Sequence, residues 1–281
     1  EVIREIQPGA KILAMSTAGI QPKYTDEVLK IIGGQGKLDL IDQITYHPYR
    51  HNPDDSYDEV VKLKATVARH LARITIRQGE NGAPSARRKT KALRNYDWTE
   101  LSQAKWALRR LLGDLGRDIE SSYFAIMDMK YPDEMNMKGL LRSTENQRVE
   151  YAKPSYYAMQ NLAAVFDNGL RRIPDYQFSA DTDVSLSVFG YENKASGAQV
   201  ATIWLDGKIP SDSNEKTCID LTFGQGRFTQ PCYVDLRTGE VFEIGDDNWS
   251  REGSACRFPT VPCYDCPILI ADRSNIPTAG R

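Results

Sequence analysis

The stretch LIDQITYHPYRHNPDDSYDEVVKLKATVARHLARITIRQGENG, residues 40–82, decides the fold. It opens on an apolar run closed by Pro48. A segment follows in which Val60, Leu63, Val67 and Leu71 share one helical face. Ser56 and Glu59 stand at the spacing of a capping box at the start of that helix. The stretch ends in a second β-branched run, ARITI (72–76), followed by a loop with glycines at 79 and 82. Strand, helix and strand within some forty residues predict a βαβ unit.

The same alternation extends on both sides. KILAMSTAG (11–19) is an apolar run closed by glycine, and YTDEVLKIIGG (24–34) is its helix. After ARITI, residues 99–115 carry Leu101, Ala104, Leu108, Leu111, Leu112 and Leu115 at helical spacing. SSYFAIMDMKY (121–131) reads as a fourth strand. PSYYAMQNLAAVFDNG (154–169) reads as a last helix, with Pro154 in its first turn and Gly169 at its end. Buried strands alternating with amphipathic helices predict a parallel sheet covered by helices. Four such units make either half of a (β/α)₈ barrel or a small open α/β sheet. Beyond about residue 170 the pattern changes to short, β-branched, turn-bounded runs such as VSLSVFGY (184–191) and AQVATIWLDG (198–207). These predict an antiparallel β-sandwich, with RTGE (237–240) as a tight turn. The expected division is therefore residues 1–170 and residues 171–281.

Composition narrows the partners. The 281 residues carry a net charge of -2, so no global basic field invites nucleic acid. The basic run ARRKTKALR (86–94) reads as solvated loop. No apolar run reaches the roughly 20 residues of a membrane span. All five cysteines lie between 218 and 266. Cys263 and Cys266 have C-x-x-C spacing, but nothing completes a zinc site, and neither a metal nor a cofactor is expected. Cys256, Cys263 and Cys266 fall in CRFPTVPCYDCP, which looks too irregular to stand without a bridge. At least one disulfide is expected there, and with it a secreted or periplasmic protein.

In a barrel, chemistry collects at the C-terminal ends of the strands. Those ends read Ser16, Thr17 and Gly19; then Tyr46, His47, Tyr49, Arg50 and His51; then Gln78, Glu80 and Asn81; then Asp128 and Lys130. Each has a plainer reading. His47 before Pro48 can cap a strand, and Glu80 can be an ion-pair partner of Arg77, Arg87 or Arg88. The sequence GENG (79–82) resembles a phosphate loop, but its acid repels phosphate and no helix starts behind it. A carboxylate among aromatic, imidazole and amide groups suits a sugar better: ring faces pack on C–H surfaces while acids and amides take hydroxyls.

Together, DQITYHPY, RQGENGAPS, ELSQAKWALRRLLGDL and KPSYYAMQNLAAVFD resemble the second half of a clan A glycoside hydrolase, nearest to family 39-like enzymes. The opening EVIREIQPGAKILAMSTAG is similar to their fourth helix running into the fifth strand. The resemblance covers about residues 1–170 and implies the C-terminal half of a (β/α)₈ barrel. It places Glu80 where the clan's strand-seven glutamate is the nucleophile of a retaining, double-displacement reaction on an oligo- or polysaccharide. It makes His47 and Tyr49 residues that hold substrate or orient the nucleophile, and Asn81, Trp98 and Asp128 residues of the sugar subsites. The sequence departs from the clan at three points. The clan's acid/base glutamate lies on strand four, upstream of Glu1. The strand-eight end reads IMDMKY, without the usual tryptophan. Arg77 stands where a bulky neutral residue is expected. Asp128 is the one strand-end acid within the chain that could replace the missing acid/base.

Three functions compete on these residues. The first is a retaining glycoside hydrolase whose first barrel half lies on the same or another chain. The second is a non-catalytic carbohydrate-binding or scaffold protein on a degenerate barrel. The third is another α/β enzyme using His47 and Glu80 as acid and base, which a metal bound by His47, His51 and Glu80 would favour. The first predicts that strands 11–16 and 122–127 each pair with segments outside these residues, because an open sheet edge is costly in water.

Overall fold

A computed structural model describes residues 1–277. Helix α1 (Val2–Ile6) leads into strand β1 (Leu13–Thr17), then α2 (Pro22–Gly34), β2 (Gln43–Tyr46), α3 (Tyr57–His70), β3 (Thr75–Gln78), α4 (Glu100–Leu115) and β4 (Glu120–Ser121). The four strands form one parallel sheet in the order β1-β2-β3-β4. Ile44, Tyr46 and Ile76 of the sheet meet Leu29 of α2 and Val60, Leu63 and Val67 of α3 in one apolar cluster. The faces read from periodicity are thus the faces that pack. Among the described residues, β1 and β4 each pair with a single neighbour.

Two local expectations for this half need correction. The capping box at Ser56 and Glu59 does not form: Ser56 adopts a left-handed φ of 82° and makes no side-chain cap. Glu59 turns instead to Arg50, 3.2 Å away. The formed capping box is at α4, where Ser102 N–H donates to Thr99 Oγ1 at 3.1 Å and Thr99 N–H to Ser102 Oγ at 2.9 Å. The fourth strand, expected over 121–131, is only two residues long. Beyond Ser121 the backbone donors are drawn elsewhere: Phe124 N–H to Asn81 O at 2.8 Å, and Ala125 N–H to Lys138 O at 3.3 Å. With those groups satisfied, nothing keeps the segment in the ladder. It continues into two hairpins, β5 (Met129–Lys130) with β6 (Met135–Asn136), and β7 (Leu141–Ser143) with β8 (Val149–Ala152).

Helix α5 (Pro154–Val165) begins on Pro154, as expected, and packs against α4. Strands β9 (Leu170–Ile173), β10 (Phe178–Ala180), β11 (Leu186–Asn193), β12 (Gln199–Leu205), β13 (Thr217–Phe223), β14 (Pro231–Asp235), β15 (Glu240–Glu243), β16 (Ser250–Glu252), β17 (Ala255–Cys263) and β18 (Ile268–Asp272) follow. They form two antiparallel sheets, β10-β13-β17-β16 and β15-β14-β18-β12-β11-β9. Leu221, Phe223 and Phe258 of the first share a core with Val200, Ile203, Ile268 and Ile270 of the second. Ala104, Leu108 and Leu112 of α4 belong to this same core, so α4 lies between the parallel and antiparallel regions. That position buries its polar side as well. Lys105 pairs with Asp265 at 2.6 Å, and Arg109 Nε donates to Asp54 at 2.9 Å. Trp204 Nε1 donates to the same aspartate at 3.2 Å.

The disulfide expectation is overturned. All five cysteines are free thiols. Residues 255–263 form a strand bulged at Thr260, which sets Cys256 and Cys263 near its opposite ends, on the order of 20 Å apart. Burial pushes the thiols of Cys232, Cys263 and Cys266 up to about 12, which suppresses the reactive thiolate. Cys218 alone is exposed. An aromatic disulfide reagent should therefore titrate one thiol rapidly in the native protein and the other four only on unfolding. Two or more fast thiols would contradict this packing.

Candidate active site at the strand ends

The site is built where β2 and β3 run out side by side. Their register, Tyr46 opposite Gln78, carries the following residues to one end of the sheet. Gly79 N–H donates to Tyr46 O at 3.0 Å, which holds the first residue of the loop against β2. The chain turns at Pro48, with Tyr49 N–H donating to His47 O at 3.0 Å. This brings the Tyr49 hydroxyl to Glu80, where it donates to Oε1 at 2.8 Å. Burial, reinforced by that hydrogen bond to the glutamate, pushes the Tyr49 hydroxyl well above its usual range. It therefore stays protonated and remains a donor.

Glu80 is not an ion-pair partner of its neighbouring arginines. Arg77 crosses the sheet to Glu120 at 2.7 Å, Arg87 pairs with Asp97 at 2.5 Å, and Arg88 pairs with Glu134 at 2.7 Å. Tyr49 is its one hydrogen-bond partner among the described residues. Beside the pair lies a cavity of about 390 Å³ lined by Ala18, Gly19, His47, Tyr49, Arg50, Glu80 and Ala92. Glu80 is the only carboxylate in that lining. A second cavity of about 390 Å³ lies in the antiparallel region, among Tyr233, Phe242 and Phe258. Its Glu243 is paired with Arg273 at 3.1 Å, so it lacks a free acid.

The expected site residues divide into two groups. His47, Tyr49 and Glu80 line the cavity, although His47 makes no hydrogen bond to Glu80. Asn81, Trp98 and Asp128 lie behind it, fully or nearly fully buried. Asn81 is a staple between loops: its amide donates to Pro48 O at 3.0 Å, and its own carbonyl accepts from Phe124 N–H. Trp98 donates to Leu93 O at 2.8 Å and packs with Ala83 and Trp106 beneath the basic loop. Asp128 is closed in an ion pair with Lys153 at 2.7 Å, both side chains being 0% exposed. That leaves its carboxylate no opening to a substrate. His51 Nε2 lies 2.9 Å from Arg94 O, and its ring stacks on Trp98.

The two glycines that frame Glu80 are required by close protein contacts. A Cβ on Gly82 would stand 1.9 Å from the Phe124 carbonyl oxygen, and one on Gly79 would stand 3.2 Å from His47 Nε2. Both glycines admit protein atoms, not a sugar ring. One residue escaped sequence reasoning. Lys138, in the turn after β6, is 2% exposed, and its ammonium sits 3.7 Å from the centre of the Tyr49 ring. A lone lysine beside a glycine gives no periodic or motif signal.

No family model matches the chain, and no curated protein is similar to it. Its fold is similar to solved structures. N2152 from Neocallimastix frontalis overlaps with a TM-score of 0.53 at 10% identity, covering 96% of this chain and 62% of that one. A family 5 glycoside hydrolase from Bacteroides vulgatus ATCC 8482 overlaps with a TM-score of 0.48 at 8% identity, covering 87% and 54%. A family 17 β-1,3-glucanosyltransferase from Rhizomucor miehei overlaps with a TM-score of 0.30 at 14% identity, covering 46% and 56%. The chain thus spans between 54% and 62% of the length of these structures. No helix among the described residues is long and apolar enough to cross a membrane.

Proposed function

We propose that this chain carries the nucleophile half-site of a retaining glycoside hydrolase acting on an oligo- or polysaccharide. The observation that supports it most is the Tyr49–Glu80 pair: a carboxylate free of arginine, fixed by one tyrosine, facing a cavity at the ends of adjacent parallel strands. On this reading residues 1–170 are the second half of a (β/α)₈ barrel and residues 171–281 an accessory β-sandwich. The singly paired strands β1 and β4 meet the other barrel half, on the same or another chain. That half brings the acid/base carboxyl, since Glu80 is alone in the cavity and Asp128 is enclosed. A Glu80 oxygen attacks the anomeric carbon while the acid protonates the departing glycosidic oxygen, giving a glycosyl ester. Water, deprotonated by the same acid/base, then attacks that carbon and releases Glu80.

The test is covalent trapping. A panel of 2-deoxy-2-fluoro glycosides with good leaving groups slows hydrolysis of the ester. The full-length protein should then gain one sugar, and peptide masses should place it on Glu80. A label on another residue overturns the assignment. The absence of a second carboxylate in the cavity lining favours one competing reading, a protein that binds glycan without cleaving it. Saturable glycan binding with no label and no hydrolysis would establish that reading instead.

A further inference from the structure

Lys138 occupies a costly position. Its side chain is buried, yet among the described residues it forms neither an ion pair nor a hydrogen bond, and its contact is the Tyr49 ring at 3.7 Å. Its turn is held from several sides. Met137 O accepts from Ser85 N–H at 2.9 Å and from Lys153 at 3.3 Å. Gly139 N–H donates to Asp128 at 2.9 Å, and a Cβ on Gly139 would stand 2.1 Å from Asp128 N. The buried Asp128–Lys153 pair therefore fixes the turn that carries Lys138. Lys138 in turn sits on the tyrosine that holds Glu80.

We propose that Lys138 is a positioning residue for Glu80, acting through Tyr49 as a proton-controlled clamp. A cation over a phenol ring is attracted to its face, resists rotation of the ring, and draws electron density from it. All three effects strengthen the hydrogen bond that Tyr49 donates to Glu80. A neutral amine in the same place gives up that hold. Burial lowers Lys138 to about 7, the nearby Arg88 cation acts in the same direction, and Glu80 opposes both. The other groups facing this cluster are Tyr49 itself, Tyr123 and Tyr131 beside it, and His47 and Arg50 around the same cavity. The clamp is thus closed below about pH 7 and opens above it.

The inference rests on the glycosidase reading for its purpose, but not for its test. Tyrosine labelled with ¹³C at Cζ reports on the phenol directly, and the Tyr49 signal is identified by its loss in Tyr49→Phe. That signal should step with a midpoint near pH 7 in the wild type. It should not step in Lys138→Met or Lys138→Arg between about pH 5 and about pH 9, because the guanidinium stays charged throughout. A flat wild-type signal, or a step that survives in Lys138→Met, overturns the proposal. On aryl glycosides, kcat/KM should fall above the same midpoint. Lys138→Met should be about tenfold slower at pH 6, and Lys138→Arg should keep its activity at pH 9. A Tyr49 step without any hydrolysis upholds the clamp and removes the glycosidase reading. Hydrolysis without the step removes the clamp alone.

Discussion

Glu80→Gln lowers turnover of a glycoside by about 10³-fold or more, the scale of losing an essential member of a catalytic set, while sugar binding and folding persist. The substitution preserves volume and leaves an amide oxygen to accept from Tyr49, so the 2.8 Å contact and the loop around it can remain. What is lost is the negative oxygen that forms the ester. Glu80 is half-buried and carries no structural ion pair, because Arg77, Arg87 and Arg88 are each engaged by other acids. The buried cation that Glu80 favours is Lys138, which can shed its proton when that charge is removed, so the variant should unfold close to the denaturant concentration of the wild type. Steady-state rates beside a binding isotherm on the same glycan check the separation. Full hydrolysis by the variant would remove Glu80 from the mechanism. A loss of rate matched by a loss of stability would make it a structural residue.

Much of the parallel half was legible because its determinants are local. Apolar runs ending in Gly or Pro marked the first three strands, and the face of α3 through Val60, Leu63 and Val67 is the one that packs. Tyr49 and Glu80 were legible together because adjacent parallel strands bring their ends together. The failures are non-local. Residues 121–131 have strand-like composition, but Asn81 and Lys138 take their backbone donors, and no window of sequence shows that. Lys105, Arg109, Arg110 and Asp114 read as the solvent side of α4. All four are buried: Lys105 and Arg109 reach Asp265 and Lys208 O of the antiparallel region, while Arg110 and Asp114 turn to Tyr57 of α3. Asn81 follows β3 as read, but Asp128 lies beyond the two-residue β4, and Trp98 belongs to the loop before α4. Whether a side chain faces a cavity or the interior behind it depends on loops that cross from elsewhere.

Asp128 and Lys153 supply the largest stability effect expected. Their ion pair at 2.7 Å is wholly enclosed, and Lys153 also donates to Ser85 Oγ at 2.8 Å. It therefore joins the loop after β3, the segment after β4 and the start of α5. Enclosing two charges is expensive, so the pair need not stabilise the fold relative to an apolar pair of the same size. Removing one partner is different, because it leaves the other charge buried without compensation. In Lys153→Met, Asp128 keeps the Gly139 N–H. The next cation, Arg142, stands 3.8 Å from its other oxygen and is 31% exposed, so solvent screens it. The expected loss is about 3–5 kcal/mol in urea or thermal unfolding. The double variant Asp128→Leu, Lys153→Met should recover much of it, because no unpaired charge remains. A single-variant loss below about 1 kcal/mol, the scale of an exposed pair, would show that water reaches the site and that the enclosure is not real. Recovery in the double variant also separates stability from positioning. With Asp128 gone, Gly139 loses its carboxylate anchor, and the turn carrying Lys138 is freed. The restored fold should then still show a weakened Tyr49 response near pH 7.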